Sequence, residues 1–250
     1  MNNSGILPYF SVIMPAYNEE SVVENTISDL ITEMESPRYA EFCNTPAGKD
    51  WFEIVVTDDG SKDRTFDSLI RIGEKDKRIR IFRHDKNLGF GAAVMNSVGR
   101  AKGEKLLLVP SDGQFDPGEI IKFIKALDGY DLVIGVRPDR QGYNIFRKFV
   151  SFVYISLVKM LFGKSYKDTN WVQAWKRDVF LKIKPQSSGV FFLQETITLA
   201  AGEHFRTGEV PSSHIAREKG KASGGRLSVI LFTLFEMLKF RFTTKNHGSL

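Results

Sequence analysis

The chain has 250 residues, 42% hydrophobic and 26% charged, with a formal net charge of +5. That balance supports a full hydrophobic core and excludes a disordered, collagen-like or disulfide-stapled chain, since Cys43 is the only cysteine. The excess positive charge is concentrated: residues 137–184 carry eleven basic against three acidic side chains and residues 211–250 seven against two, a clustering that points to an anionic partner.

In chain order, Phe10-Ser11-Val12-Ile13-Met14 is an apolar run stopped by Pro15 and predicts a strand. Ser21 is placed to cap a helix whose apolar positions Val23, Ile27, Leu30, Ile31 and Met34 recur at helical spacing and end before Pro37. The segment from Pro37 through Asn44-Thr45-Pro46-Ala47-Gly48 reads as a loop. Phe52–Val56 predicts a second strand, closed by Asp58-Asp59-Gly60-Ser61, and a helix follows from about Thr65 to Lys75. The alternation continues with a strand at Ile79–Phe82, a turn at Asn87–Gly91, a helix at Ala92–Ala101 and a strand at Leu106–Val109. A helix near Pro117–Leu127 and a buried strand at Leu132–Gly135 follow.

Strands alternating with helices predict a largely parallel sheet covered on both faces. In such sheets ligands bind beyond the carboxyl ends of the strands, which directs attention to Tyr17-Asn18-Glu19, Asp58–Ser61 and Ser111-Asp112-Gly113-Gln114. Two later segments, Ile145–Phe162 and Ser228–Phe240, are apolar but interspersed with Lys and Arg. Neither reads as a membrane span, which needs about 20 predominantly apolar residues. Each fits a buried helix or one lying in a membrane interface, and their basic residues favour the interface. Trp171 and Trp175 read as core packing or as a wall of an acceptor site. His84, His204, His214 and His247 lack metal-ligand spacing, and only His214, beside Arg217, draws attention.

Four segments in order, Ser11–Glu20, Asp58–Thr65, Asn87–Gly91 and Ser111–Pro117, resemble the signature of family 2 inverting glycosyltransferases. Asp131–Arg137, the Arg147 and Ser151 pair, and His214–Ser223 resemble the branch that makes dolichyl- or polyprenyl-phosphate sugars, so the likeness covers roughly residues 9–227. The resemblance implies an α/β, A-type glycosyltransferase fold: one Rossmann-like domain with a mostly parallel central sheet flanked by helices. Residues 1–210 would form the catalytic domain and 211–250 a basic acceptor loop with an amphipathic helix packed on it or on the membrane.

The activity implied is inverting transfer of a sugar from a nucleoside-diphosphate sugar, UDP- or GDP-linked, to a polyprenyl phosphate. Pro15, Tyr17, Glu19, Asp58, Asp59, Asp112 and Gln114 would bind the donor. Asp112 and Gln114 would hold Mg²⁺ or Mn²⁺, hard cations that suit oxygen ligands. The family's usual Asp-x-Asp has Pro110 at its first position here, which removes one carboxylate. Trp171 similarly stands where relatives often carry a small residue. Arg147, Ser151, Arg217 and Lys219 would bind the acceptor, and Asp112, Arg137 and Arg217 would carry the catalysis through charge, since guanidinium forks match phosphate oxygens.

A lipid phosphate is already anionic and needs no general base. A sugar-hydroxyl acceptor, the competing possibility, does need one, and Glu195 is the candidate. A nucleotide-binding relative impaired by Pro110 is the third possibility. No helix-turn-helix, zinc or RNA-recognition signature accompanies the basic stretches, so nucleic acid is not an expected partner. No basic segment leading into an apolar stretch opens the chain. The expected location is therefore cytoplasmic, peripheral on the inner face of an anionic membrane, with a membrane protein as a possible partner.

Overall fold

The computed structural model describes residues 7–43, 48–137, 145–163, 166–215 and 227–245, and for 145–150, 227 and 244–245 the helical backbone alone. The first half alternates strictly: β1 (Phe10–Ala16), α1 (Val23–Met34), the single turn α2 (Ala40–Cys43), β2 (Phe52–Asp58), α3 (Thr65–Gly73), β3 (Ile79–Arg83), α4 (Phe90–Arg100) and β4 (Lys105–Leu108). Then come α5 (Ile120–Gly129), β5 (Leu132–Val136), α6 (Ile145–Phe162), β6 (Gln173–Lys176), the short α7 (Val179–Lys182), α8 (Phe192–Gly202), β7 (Thr207–Pro211) and α9 (Leu227–Lys245). Among the described residues the strands form one seven-stranded sheet in the order β3-β2-β1-β4-β6-β5-β7. All pairings are parallel except those of β6, which runs against both β4 and β5.

The period of two along each strand divides the core into two layers. Phe10, Val12, Met14, Ile54, Val56, Leu107 and Val133 face one side, where α1, α3 and α5 cover them with Ile27, Leu69 and Phe123. Ile13, Val55, Leu106, Leu108 and Ile134 face the other, under Val94 and Val98 of α4 and Phe192 and Ile197 of α8. Trp171 lies in the first layer and Trp175, in β6, is fully buried in the second, so the two tryptophans do not share a face. Pro15 is tolerated in a central strand because β4 pairs β1 only as far as Ile13↔Leu108. The expected Ser21 cap is not used. Val22 precedes α1 with no side-chain cap, and the N–H groups of Val22 and Val23 donate to the Glu19 carbonyl instead.

Five elements were not expected from the sequence: the short helices α2 and α7, and α8, β6 and β7. In α8 every side chain from Phe192 to Thr198 is buried, so the amphipathic stripe that marks a surface helix is missing. β6 is four residues long and begins with Gln173, a buried amide satisfied by the Leu193 carbonyl and the Thr196 hydroxyl. β7 is a five-residue edge strand that ends in Pro211.

A third, smaller cluster joins α6 to α9 through Val158, Phe191 and Met237, with Phe162 and Phe240 packed around them in tilted ring contacts. The outward face of α9 carries Leu231, Phe235, Leu238 and Phe242 at helical spacing, 47–67% exposed, and α6 exposes Phe152 and Met160. Among the described residues no helix is long and apolar enough to cross a membrane.

Candidate active site

The loops that follow β1, β2 and β4 meet at the carboxyl edge of the sheet. The first two are locked together by backbone donors. Asn18, in the left-handed region at φ 55°, donates its N–H to Ser61 Oγ at 2.9 Å and accepts from Lys62 N–H at 2.8 Å through its side-chain oxygen. Glu19 N–H donates to Thr65 Oγ1 at 2.8 Å, and Arg64 N–H to Glu20 at 2.9 Å. Tyr17 is exposed at the mouth of this region, with Pro15 and Glu19 half-buried beside it.

The two adjacent carboxylates behind them are buried. Asp58 accepts from the N–H and hydroxyl of Ser61, and its other oxygen faces Arg83 Nε at 3.0 Å. Asp59 accepts from His84 Nδ1 at 2.7 Å, Leu88 N–H at 2.9 Å and Gly89 N–H at 2.8 Å. His84 is held in turn by Asn96 Nδ2 at 3.1 Å. Asp59 thus fixes the whole 84–89 loop. The motif named Asp59 but gave no sign of the His84 and Asn96 support.

Across the edge, Asp112 accepts from Gln114 N–H at 3.1 Å, with Gly113 at φ 74° making the turn. Gln114 reaches His214, Nε2 to Nε2, at 2.9 Å. The segment carrying His214 is stitched to the same loop: Ile215 N–H donates to the Gln114 carbonyl, and Ser213 donates its N–H and hydroxyl to Glu119. With Gln114 donating, His214 Nε2 accepts and the ring is neutral. Burial first, then the charge of Arg137, hold its pKa below the usual histidine value, against the opposing pull of Asp112 and Asp168.

Arg137 extends this cluster and is tightly committed. Its guanidinium forks onto Asp168 at 2.7 and 3.1 Å, and both side chains are nearly buried, 10% and 2% exposed. It also lies 4.7 Å above the Trp171 ring, whose indole N–H donates to Ser212 and whose edge meets His214 at 5.2 Å. The sequence allows Trp171 as core packing or an acceptor wall, and the structure puts it in the first core layer; the sequence assigns no partner to Arg137. The sequence marks Asp168 only as the start of the Asp168-Thr169-Asn170 run before Trp171, with no role assigned to it.

A divalent cation fits the donor set here in one way only. Asp112 offers a carboxylate and Gln114 an amide oxygen, hard ligands that suit Mg²⁺ or Mn²⁺, while the one acceptor nitrogen of the neutral His214 ring is taken by the Gln114 amide. Among the described residues no group of three His, Cys, Asp or Glu is arranged as a closed metal cage, and Pro110 supplies no ligand. Asp112 and Gln114 would therefore supply two protein ligands, a partial shell that suits a hard cation.

The expected acceptor residues are only partly on view. Ser151 is half-buried on α6, and Arg147 lies one turn before it on the same helix, where only the backbone is described. Arg217 and Lys219 lie outside the described residues. Glu195, the base expected for a hydroxyl acceptor, is 1% exposed, and its two oxygens accept the N–H groups of Gln186 and Ser187 at 2.8 Å each. It is the anchor of a loop.

The family model described as glycosyl transferase family 2 matches residues 11–183. An undecaprenyl-phosphate 4-deoxy-4-formamido-L-arabinose transferase from Edwardsiella ictaluri is 29% identical over 92% of this chain and 67% of its own length. The enzyme of the same description from Salmonella typhimurium is 30% identical over 91% and 67%. Among solved structures, glucosyl-3-phosphoglycerate synthase from Mycobacterium tuberculosis, in complex with Mn²⁺, UDP and phosphoglyceric acid, is similar with a TM-score of 0.66 and 19% identity, over 96% of this chain and 80% of that one. A mannosyltransferase from Pyrobaculum calidifontis in complex with GDP-mannose and Mn²⁺ gives a TM-score of 0.60 and 16% identity, over 94% and 65%.

Proposed function

The chain belongs to glycosyl transferase family 2, and on that premise we propose that it transfers a sugar, with inversion, from a nucleoside-diphosphate sugar to a polyprenyl phosphate. The observation that carries the choice of acceptor is the state of Glu195. A hydroxyl acceptor must lose a proton to a base, and this buried carboxylate is consumed by two backbone N–H groups. A phosphate oxygen, already ionised, needs no base. The named relatives, matched over nine-tenths of this chain, are undecaprenyl-phosphate sugar transferases, which supports the same acceptor.

In this reading the acceptor oxygen forms a bond to the anomeric carbon from the face opposite the leaving group. The bond from that carbon to the diphosphate breaks, and the nucleoside diphosphate leaves with its electron pair. Pro15, Tyr17, Glu19, Asp58 and Asp59 line the side where base and ribose are held. Asp112 and Gln114 would hold a divalent cation, which when bound would supply positive charge to the leaving diphosphate. Arg137 is oriented in advance by Asp168, so its donors require little reorganisation as charge moves. Arg147, Ser151, Arg217 and Lys219 receive the acceptor phosphate, with residues 211–250 forming the acceptor unit beside the catalytic domain.

The exposed apolar stripe of α9, with Phe152 and Met160 of α6, rests on an anionic lipid surface at the cytoplasmic face. Lys159 and Lys239 are exposed alongside it, and the two basic stretches include both helices. Incubation with labelled UDP- and GDP-sugars, Mn²⁺ and undecaprenyl phosphate, followed by organic extraction, tests the reaction. Label in a lipid phosphate sugar is expected, and label only in water-soluble glycan would refute the acceptor. Sedimentation with anionic vesicles tests the surface: the Phe235→Ser, Phe242→Ser double variant should be released, and undiminished binding would refute that face.

A further inference from the structure

Glu236, in the C-terminal helix, is a buried carboxylate that the reaction above does not use. It is 7% exposed, and its Oε1 accepts the N–H groups of Ser188 at 2.7 Å and Gly189 at 3.0 Å. A buried carboxylate is costly unless hydrogen-bonded, and simple packing of α9 would be better served by an apolar residue. The turn it grips is pressed on its far side against the start of α4. Gly91 N–H donates to the Ser188 carbonyl at 2.6 Å. A methyl group on Gly89 or Gly91 would run into the Ser188 or Ser187 carbonyl oxygen. From there the N–H groups of Leu88 and Gly89 lead directly to Asp59. The helix side has no slack either, since a Cβ on Gly189 would stand 2.6 Å from Glu236 Oε2 and 3.1 Å from the Phe232 ring. Contacts therefore run unbroken from the C-terminal helix, through Ser188 and the two glycines of the Asn87–Gly91 turn, to the donor side of the site.

We infer that Glu236 is a positioning residue for donor binding: from α9 it holds the Ser187–Gly189 turn that sets the Gly89–Gly91 backbone and, through it, the Asp59 carboxylate. The inference rests on the assignment of the Asp59 side to the nucleotide. Calorimetric titration of the full chain with UDP and with GDP, each with Mn²⁺, tests it beside hydrogen exchange. Glu236→Ala should weaken nucleotide binding about tenfold or more and speed exchange at Leu88 and Gly89, while β1 amides stay protected. Glu236→Gln, which keeps an acceptor oxygen for both N–H groups, should retain most of the affinity. Gly189→Ala drives the carboxylate away without removing it and should behave as Glu236→Ala, which carries the test if the latter does not fold. Wild-type affinity in either folded variant overturns the inference alone. A wild-type chain that binds neither nucleotide defeats the donor assignment and the inference with it.

Discussion

Removing the carboxylate of Asp168 exposes how the site is held. In Asp168→Ala the Arg137 guanidinium, 10% exposed, loses its two contacts to that carboxylate and remains a charge at the edge of the core. Breaking a buried pair from one side costs about 3–5 kcal/mol, because the surviving ion keeps its desolvation penalty. The Trp171 ring 4.7 Å away and the Asn170 carbonyl stay in place, which argues for the lower end, about 3 kcal/mol. For a chain of this size each 1 kcal/mol moves Tm by roughly 2–4 °C, so a drop of about 6–12 °C is expected in a thermal melt followed by circular dichroism at pH 7. Replacing both partners, as in Asp168→Leu with Arg137→Met, should recover most of that loss, since an apolar pair of similar volume leaves no stranded charge. A single variant that melts within 2 °C of wild type, or a double variant no better than the single, would refute the claim that this pair is buried and coupled.

Asp112→Ala should abolish the Mn²⁺-dependent part of nucleotide binding and lower transfer by about 10²-fold or more, with Tm little changed, because the side chain sits on a loop at the sheet edge. Full activity in that variant would reject the cation assignment. Glu195→Gln should lower Tm and reduce kcat by less than about tenfold, whereas loss of a general base costs about 10²–10⁴-fold; a steady-state rate at saturating substrates separates the two. Asp76 is a test of acid stability remote from the site. The Arg78 guanidinium bonded to it holds its carboxyl below the usual value, so the pair stabilises the fold above about pH 4 and that contribution fades as pH falls through the lowered value. Asp76→Asn should therefore cost about 1 kcal/mol at pH 7, and its melting curve should converge on wild type only as pH falls through the lowered Asp76 value.

The alternating first half was legible because its signals are local. Short apolar runs give β1 to β5, helical spacing gives α1, α3, α4 and α5, and the breakers between them place Tyr17, Asp59, Asp112 and Gln114 just beyond strand ends and Asp58 at the last position of β2. The Asn87–Gly91 segment was readable as a turn, and the structure supplies the reason for two of its glycines: a neighbouring turn whose carbonyls leave no room for a Cβ. Where burial is complete the periodic signal vanishes, which is why α8 escaped notice. The reversed strand β6 was hidden for another reason, since four residues of mixed polarity reveal neither direction nor neighbours.

What the sequence determined by itself was the set of chemical groups at the carboxyl edge and the alternation that carries them there. What only tertiary structure decided was their partnership. His214 reaches Gln114 across a hundred residues, Arg137 is bound by Asp168 rather than held open, and Glu195 and Glu236 brace a turn from two different helices. Periodicity reports which face of an element is buried, and motif spacing reports which groups leave a strand together. Neither reports which buried donor a distant carboxylate will meet, because that depends on how whole elements pack, and the cost of an unpaired buried charge then forces the match.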